Sequence, residues 1–501
     1  KEIAGIEEER EAIEKVASGQ ELLNRIEDLP FTTMAVIQGD CYGGGTELTL
    51  AFDMRVASDH RKTAIGLPEV SLGIIPGFAG TYRLQRRVGL IQAVQMITSG
   101  KPADGKKAAK IRLTDATYPD AFHEEWARAL LKKHLGEKRP VSKAKKYRRK
   151  RRLGQWFLEA TWIGRRLLFS RSKKEIIKRT DGKYPAPLSA LRVLSRNYRS
   201  SRKRALERER RAFAKLAVSR EAKNLIGVFF AQEQAKRHPI ITKGEKPAPV
   251  ERAAVLGAGV MGGTIAWLFS KMDTPVVMKD IAWDAVHKGY AAAADIYGVL
   301  REKGRYSGGD INLKMNKIHG TLDYGALGRP DMIVEAVVEK MGVKKQVLQE
   351  TESQVDVDAV MATNTSALSV SEMGSALKHP ERFGGMHFFN PANRMPLVEV
   401  VRGRDTSTET LKRIATLALS MGKTPVIVAD GPGFLVNRIL MPYLNEALFL
   451  FDEGVSVEKT DGAFRDYGMP MGPFRLIDEV GIDVARDVAE TLTAHFSDRM
   501  E

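Results

Sequence analysis

A single cysteine, Cys41, stands among 501 residues. That excludes an internal disulfide framework and any zinc site built on several thiolates, and it fits a reducing compartment. Long apolar runs are also missing: no stretch approaches the roughly 18 consecutive apolar residues of a membrane-spanning helix. The opening KEIAGIEEER has no feature of a secretory leader. It begins on Lys1 rather than Met, so a segment upstream is expected. The chain is too long for one core, and length alone suggests about three or four units.

Acidic residues are scarce in one place only. Between Lys138 and Arg237 there are 32 Lys and Arg against 7 Asp and Glu, a net of +25, whereas the whole chain carries +17, leaving the remainder at −8. The high pI therefore reports a local patch, not a basic protein. Aromatic and aliphatic positions are interspersed there, Trp156, Phe157, Trp162, Leu167 and Leu168 among them. This suggests helices that pack on neighbours and carry charged outer faces. The run KAKKYRRKRR could bind nucleic acid or anionic lipid; the plainer reading is a solvated linker that also helps hold a phosphate-bearing ligand. KGEKPAP, Lys243 to Pro249, marks a boundary.

After that boundary comes AAVLGAGVMGGTIAWLFSKMDTPVVMKD, Ala253 to Asp280. A short apolar run gives way to Gly257, Gly259 and Gly262 in G-x-G-x-x-G spacing, then to an apolar helical pattern through Met272. The first glycine permits a tight turn, the second lets backbone approach a pyrophosphate, and the third lets helix pack closely on strand. A second strand, Pro275 to Met278, ends at Asp280, where a carboxylate can hold both ribose hydroxyls of NAD and would repel a 2′-phosphate. NAD is thus the expected cofactor, on a Rossmann doubly wound sheet.

The beginning of the chain has a different organisation. Ile, Leu and Val at helical spacing up to Leu29 predict an amphipathic helix, and MAVIQG, Met34 to Gly39, a strand. Next, Gly43, Gly44 and Gly45 precede a helix with Glu47 on its first turn; another strand covers Met54 to Ala57, and Glu69 follows Pro68. Two carboxylates thereby come to lie beside a glycine-rich turn. GGGTE, the D-x-R-x-A-S strand and GLPE-V-x-L-G-I-I-P-G-F-x-G-T resemble the enoyl-CoA hydratase (crotonase) family over about Lys1 to Ala116. The resemblance implies water addition across a 2-enoyl thioester. One carboxylate activates water at C3 and an acid protonates C2, roles that fall to Glu47 and Glu69. It also implies an oxyanion donor at Gly44. The family's second oxyanion donor precedes a segment like the one on which this chain opens. A protein beginning at Lys1 would therefore be expected to hydrate poorly, since losing one such donor costs about 10²–10³ in rate.

Three later blocks resemble the 3-hydroxyacyl-CoA dehydrogenase family: Asn364-Thr365-Ser366, GGMHFFNPANRMPLVEVV from Gly384 to Val401, and DGPGFLVNRILMPYLNEAL from Asp430 to Leu448. The resemblance makes His387 the base that takes the 3-hydroxyl proton, a task suited to imidazole near neutral pH. Glu399 would fix its tautomer, and Ser366 and Asn437 would position the reacting oxygen. Cofactor contacts would come from Gly257, Gly259, Met261, Gly262, Asp280, Val338, Glu339, Lys344, Ser366 and Asn390. Pro442, Gly454 and GMPMGP, Gly468 to Pro473, are expected to punctuate the helices that follow.

The order of parts is similar to the alpha subunits of fatty-acid oxidation complexes, and the GDCYGGG turn leans toward their anaerobic bacterial type. The expectation is an α/β multidomain chain. A crotonase-like spiral domain occupies 1–137, with its N-terminus and the family's second C-terminal helical repeat absent. A basic helical linker covers 138–249, a Rossmann domain 250–430 and an all-α domain 431–501. The resemblance implies fatty acyl-CoA substrates, a thiolase β subunit as partner and a bacterial cytoplasmic location rather than the mitochondrial matrix. The 138–237 patch is a candidate for a membrane surface, and no nucleic acid or metal is expected. The competing readings are an N-terminal part that acts mainly as an enoyl-CoA isomerase, and a basic scaffold for membrane or nucleic acid.

Overall fold

Helical spacing of apolar residues at the start of the chain produces helix Glu9–Glu27, which buries Ala12, Val16, Gln20, Leu23 and Glu27 on one face. The computed structural model describes residues 2–60, 62–135 and 153–496. KAKKYRRKRR lies wholly outside the described residues, so the expectation attached to that run is not addressed by the structure. The chain divides into two compact units, Lys1–Ala231 and Gln232–Glu501.

In the first unit, strands Met34–Ile37, Met54–Ser58 and Ala116–Tyr118 form a parallel sheet with Met54–Ser58 in the middle, buried at every position. A second small sheet pairs Asp40–Tyr42, Ala64–Gly66 and Ala103–Asp104. Its first strand leads directly into the glycine turn and helix Gly44–Leu50. The basic stretch contributes helices Trp162–Thr180, Pro185–Asn197 and Arg202–Ala217. Their Ile176, Leu191, Leu194 and Phe213 join the same apolar core as Ile37, Leu67 and Ile75. The charges sit on outer faces while the aliphatic side completes this core.

The second unit is built on one eight-stranded sheet. In spatial order its strands are Thr424–Ala429, Leu397–Arg402, Phe383–Phe388, Val360–Thr363, Met332–Glu335, Ala253–Leu256, Val276–Lys279 and Ile318–Thr321. All neighbouring pairs are parallel except Phe383–Phe388 with Leu397–Arg402. Central strands buried on both faces explain the largely apolar runs AAVL, MIVE and VMAT, whose polar residues come only at their carboxyl ends. The first strand, Ala253–Leu256, lies between Val276–Lys279 and Met332–Glu335, so chain direction across the sheet reverses there, and ligands bind outside the carboxyl ends of such strands.

Four helices follow the sheet: Val436–Asp452, Val457–Tyr467, Pro473–Val480 and Ile482–Phe496. Gly454 and Gly468, both with positive φ, end two of them as expected. Pro442 does not. It lies inside Val436–Asp452, where the flanking Met441, Leu444 and Ala447 are buried and hold the helix through the missing N–H. No described helix is long and apolar enough to cross a membrane.

Candidate functional site

Glu47 sits on the first turn of helix Gly44–Leu50 and is almost fully buried. One carboxylate oxygen, Oε1, accepts hydrogen bonds from the backbone amides of Phe78 and Gly80, each at 2.7 Å. The approach is close enough that a Cβ on Gly80 would stand 2.7 Å from Glu47 Oε1. Glu69 opens the short 3₁₀ turn Glu69–Leu72 and is buried too, but neither of its carboxylate oxygens has a hydrogen-bond partner. It borders the glycine turn: a Cβ on Gly43, which has φ +54°, would stand 3.2 Å from Glu69 Oε1.

Burial raises the Glu69 carboxyl to about 8. Burial first, and then the charges of Glu69 and Glu209, push Glu47 well above the usual carboxylate range. Desolvation thus lifts both carboxyls, but two amides favour the ionised form of Glu47, whereas Glu69 lacks such a pair. It is this difference in hydrogen bonding that suits the two to act as base and acid on one substrate. Gly44 is the first residue of its helix, so its amide is among those with no acceptor inside the helix.

In the second unit the glycine turn fits a dinucleotide. Gly257 has φ +94°, and a Cβ there would meet the Ala336 carbonyl oxygen at 2.4 Å. At Gly262 a Cβ would lie 1.8 Å from the Gly257 carbonyl oxygen, whereas at Gly259 it would meet nothing within 4 Å. The outer two glycines close the turn on itself and the middle one leaves open backbone for a pyrophosphate, at the N-terminus of helix Val260–Lys271. Asp280 ends the second strand, and its carboxylate accepts from the amides of Ala258 at 2.6 Å and Ile281 at 2.7 Å. The acid is thereby tied to the turn. Val338 is exposed just beyond strand Met332–Glu335, Met261 is half-buried and Asn390 exposed.

Gly262→Ala is expected to weaken NAD binding at least tenfold and to lower the melting temperature, because helix and turn must part to admit the methyl group. Nucleotide titration followed by intrinsic fluorescence, alongside thermal unfolding, measures both. Unchanged affinity would mean that the turn does not hold the cofactor.

Buried Lys344 pairs with two carboxylates, buried Glu335 and exposed Glu339. Lys344 Nζ lies 2.8 Å from Glu335 Oε1 and 3.2 Å from Glu339. Glu335 also accepts from Val337 N at 2.7 Å and Thr363 Oγ1 at 2.6 Å, and Glu339 accepts from Thr365 Oγ1 and Ser366 N at 2.5 and 2.8 Å. The loop that carries Ser366 is thus held by the cofactor-side carboxylate. Glu335 was not legible from sequence, because it reads as the end of a buried strand.

His387 lies near the carboxyl end of strand Phe383–Phe388, paired in register with Glu399 on the antiparallel neighbour. Its Nδ1 is 2.8 Å from Glu399 Oε2. The ionised acid accepts the Nδ1 proton, which leaves Nε2 as the acceptor. Glu399 is fully buried, and its other oxygen accepts from the amides of Leu435 at 3.0 Å and Val436 at 2.9 Å, at the start of helix Val436–Asp452. On the same helix Asn437 donates Nδ2–H to the Ser366 carbonyl at 2.9 Å. Rings of Phe389 and Phe434 flank the imidazole, with centroids 4.6 and 5.9 Å away. Phe434 takes a left-handed backbone conformation, φ +48°. Sequence also did not single out Asn364, which accepts from Phe388 N at 2.9 Å, or Asp430, which accepts from Ser369 Oγ and from the Val370 and Ser371 amides. No cluster of side chains able to hold a metal occurs among the described residues.

Comparison with known proteins separates the same two parts. The enoyl-CoA hydratase/isomerase family matches residues 1–161, the NAD-binding domain of 3-hydroxyacyl-CoA dehydrogenase residues 252–431, and the C-terminal domain of that dehydrogenase residues 433–501. A fatty acid oxidation complex subunit alpha from Psychrobacter cryohalolentis is 38% identical over 498 residues, 98% of this chain and 68% of the relative. One from Vibrio parahaemolyticus is 36% identical over 486 residues, 96% of this chain and 67% of the relative. A solved (S)-3-hydroxybutyryl-CoA dehydrogenase from Ralstonia eutropha aligns with 50% of this chain and 89% of its own at 35% identity and TM-score 0.48. The chain combines an enoyl-CoA hydratase with a 3-hydroxyacyl-CoA dehydrogenase that uses NAD. It belongs to the family of fatty acid oxidation complex alpha subunits.

Proposed function

We propose that the two buried acid–base pairs, Glu47 with Glu69 and His387 with Glu399, catalyse consecutive steps of fatty-acid β-oxidation on one acyl-CoA. The observation that carries this reading is that each compact unit holds one such pair together with a glycine turn suited to its ligand. In the first step Glu47 takes a proton from water as its oxygen bonds to C3 of the enoyl thioester. Glu69 delivers its proton to C2, and the thioester oxygen, negatively charged in transit, accepts from the Gly44 amide. The product is a 3-hydroxyacyl thioester with the water's hydroxyl on C3 and the Glu69 proton on C2; the water's other proton, held on Glu47, returns to Glu69 before the next turnover.

In the second step His387 Nε2 takes the 3-hydroxyl proton, with Ser366 and Asn437 holding that oxygen and Glu399 stabilising the imidazolium. Bound NAD supplies the acceptor for the hydride that leaves C3. We assign its phosphates and ribose to Gly257, Gly259, Gly262 and Asp280, and further contacts to Met261, Val338, Glu339, Lys344 and Asn390. We assign the first step to 1–137 together with helices of the basic stretch 138–249, and the second to 250–430 with 431–501.

A 3-ketoacyl thioester is the substrate class of thiolytic cleavage, and the relatives are named as alpha subunits of a complex. A thiolase-type β subunit is accordingly the proposed partner and fatty acyl-CoA the proposed substrate. Bacterial relatives and one partly buried thiol support a bacterial cytoplasmic location.

The test is direct: the full-length protein given crotonyl-CoA and NAD should form NADH with a lag that vanishes when 3-hydroxybutyryl-CoA is supplied instead. NADH from the second substrate alone would remove the hydratase assignment.

A further inference from the structure

The turn that pins Glu47 is held from a second side by a carboxylate that belongs to neither proposed catalytic pair. Four successive backbone amides, Phe78 to Thr81, alternate between two glutamates. Those of Phe78 and Gly80 donate to Glu47 Oε1. Those of Ala79 and Thr81 donate to Glu209, at 2.5 Å to Oε1 and 2.8 Å to Oε2. Thr81 Oγ1 also donates to Glu209 Oε2, and Gln20 Nε2 to Oε1 at 3.3 Å. Glu209 is fully buried and comes from helix Arg202–Ala217 of the basic stretch, 130 residues from Ala79.

Ala79, at the centre of this turn, adopts φ +73°, a left-handed conformation that a non-glycine residue keeps only when its surroundings impose it. It is also the cap residue of helix Gly80–Val88, so two glutamate carboxyls sit against the positive end of one helix. Glu47 cannot hold Oε1 between the Phe78 and Gly80 amides unless Ala79 is kept in that conformation, and the Ala79 and Thr81 amides are fastened only to Glu209 among the hydrogen bonds seen.

We propose that Glu209 is a positioning residue for the hydratase site: by clamping the Ala79 and Thr81 amides it orients the amides of Phe78 and Gly80 that hold Glu47. The inference rests on the assignment of Glu47 to hydration. The groups facing Glu209 are Gln20 of helix Glu9–Glu27, Thr81, and Asn197 of helix Pro185–Asn197, whose Nδ2 reaches Thr81 Oγ1 at 3.4 Å. Its charge is felt by Glu47 and Glu69, and Arg83, on the helix that follows the turn, donates to the Phe78 carbonyl at 3.0 Å and pairs with Glu27. Burial lifts Glu209 itself to about 7, and its charge raises both Glu47 and Glu69.

Hydration of crotonyl-CoA by Glu209→Ala and Glu209→Gln, against oxidation of 3-hydroxybutyryl-CoA by the same preparations, separates positioning from bulk stability. Glu209→Ala should lower kcat for hydration about 10- to 100-fold with KM within about threefold, since what is lost is the alignment of a group that acts in the transition state. Glu209→Gln keeps one acceptor for the Ala79 amide and should lose less. It also removes a negative charge beside Glu47 and Glu69, so both limbs of its pH–kcat profile should move toward acid by about half a unit or more. A charge-free variant with the native kcat and pH profile overturns the proposal, as does a Glu209→Ala defect that only follows its folded fraction. If the unsubstituted protein oxidises 3-hydroxybutyryl-CoA but does not hydrate crotonyl-CoA, the hydratase assignment fails and this role fails with it.

Discussion

Glu47→Gln is expected to abolish NADH formation from crotonyl-CoA while leaving NADH formation from 3-hydroxybutyryl-CoA at its native rate. The loss should reach about 10²–10⁴ in kcat for hydration, the range a positioned proton-transfer group contributes. The substitution preserves the shape of the side chain, and its amide oxygen can still accept from Phe78 and Gly80. A folded protein without a base is therefore the expected product. Glu69→Gln should give a comparable loss for the opposite reason, since an amide cannot deliver the proton to C2. Because burial holds the Glu69 carboxyl at about 8, the native enzyme should lose hydration as pH rises through that value, while more of the acid is in its donating form below it. Initial rates of enoyl loss across pH 6 to about 9.5 check this. A hydration rate still rising above pH 9 would show that Glu69 is not the acid.

His387→Gln should have the complementary effect. Hydration continues, and NAD reduction by 3-hydroxybutyryl-CoA falls about 10²–10⁴-fold, again the range for a lost general base. Glu399→Gln separates orientation from proton capacity. His387 remains, but an amide nitrogen facing Nδ1 favours the tautomer whose proton is on Nε2, where the substrate proton must arrive. The expected result is a kcat loss of similar order with KM for the thioester little changed. The same substitution also disturbs the acceptor for the Leu435 and Val436 amides, so thermal unfolding should be recorded beside the kinetics. Loss of both hydration and oxidation by a protein that unfolds normally would refute the division of labour between the two pairs.

Residues close in sequence to a strong local signal were the easiest to find. Glu47 follows a glycine turn by two residues and Glu69 follows a proline that fixes its backbone, so both stood out as soon as the turn did. Gly257, Gly262 and Asp280 were legible for the same reason: strand, turn, helix and acid occur in one short segment whose spacing is dictated by backbone geometry. His387 and Glu399 needed the resemblance, but their register opposite one another is a property of the two strands they sit on. Glu209 carries no such signal. A glutamate in RKRALERERRAFAKLA reads as one solvated charge among many, and only the fold places it against residues 79 to 81. Glu335 was hidden by its apolar neighbours, since MIVE on a central strand gives no hint that its last residue faces Lys344. Pro442 misled for a physical reason: side-chain burial on both sides outweighed the helix bond that proline removes.

The two dehydrogenase segments meet between residues 431 and 433, yet Glu399 on one side of that seam bonds to the amides of Leu435 and Val436 on the other. The seam is therefore a boundary in ancestry rather than in chemistry. A nucleotide-binding half severed there would retain its glycine turn and the His387–Glu399 pair but leave Glu399 Oε1 without its two amide donors. The helical segment thus enters the proposed redox step through two backbone amides that hold Glu399, not through any side chain that meets the cofactor.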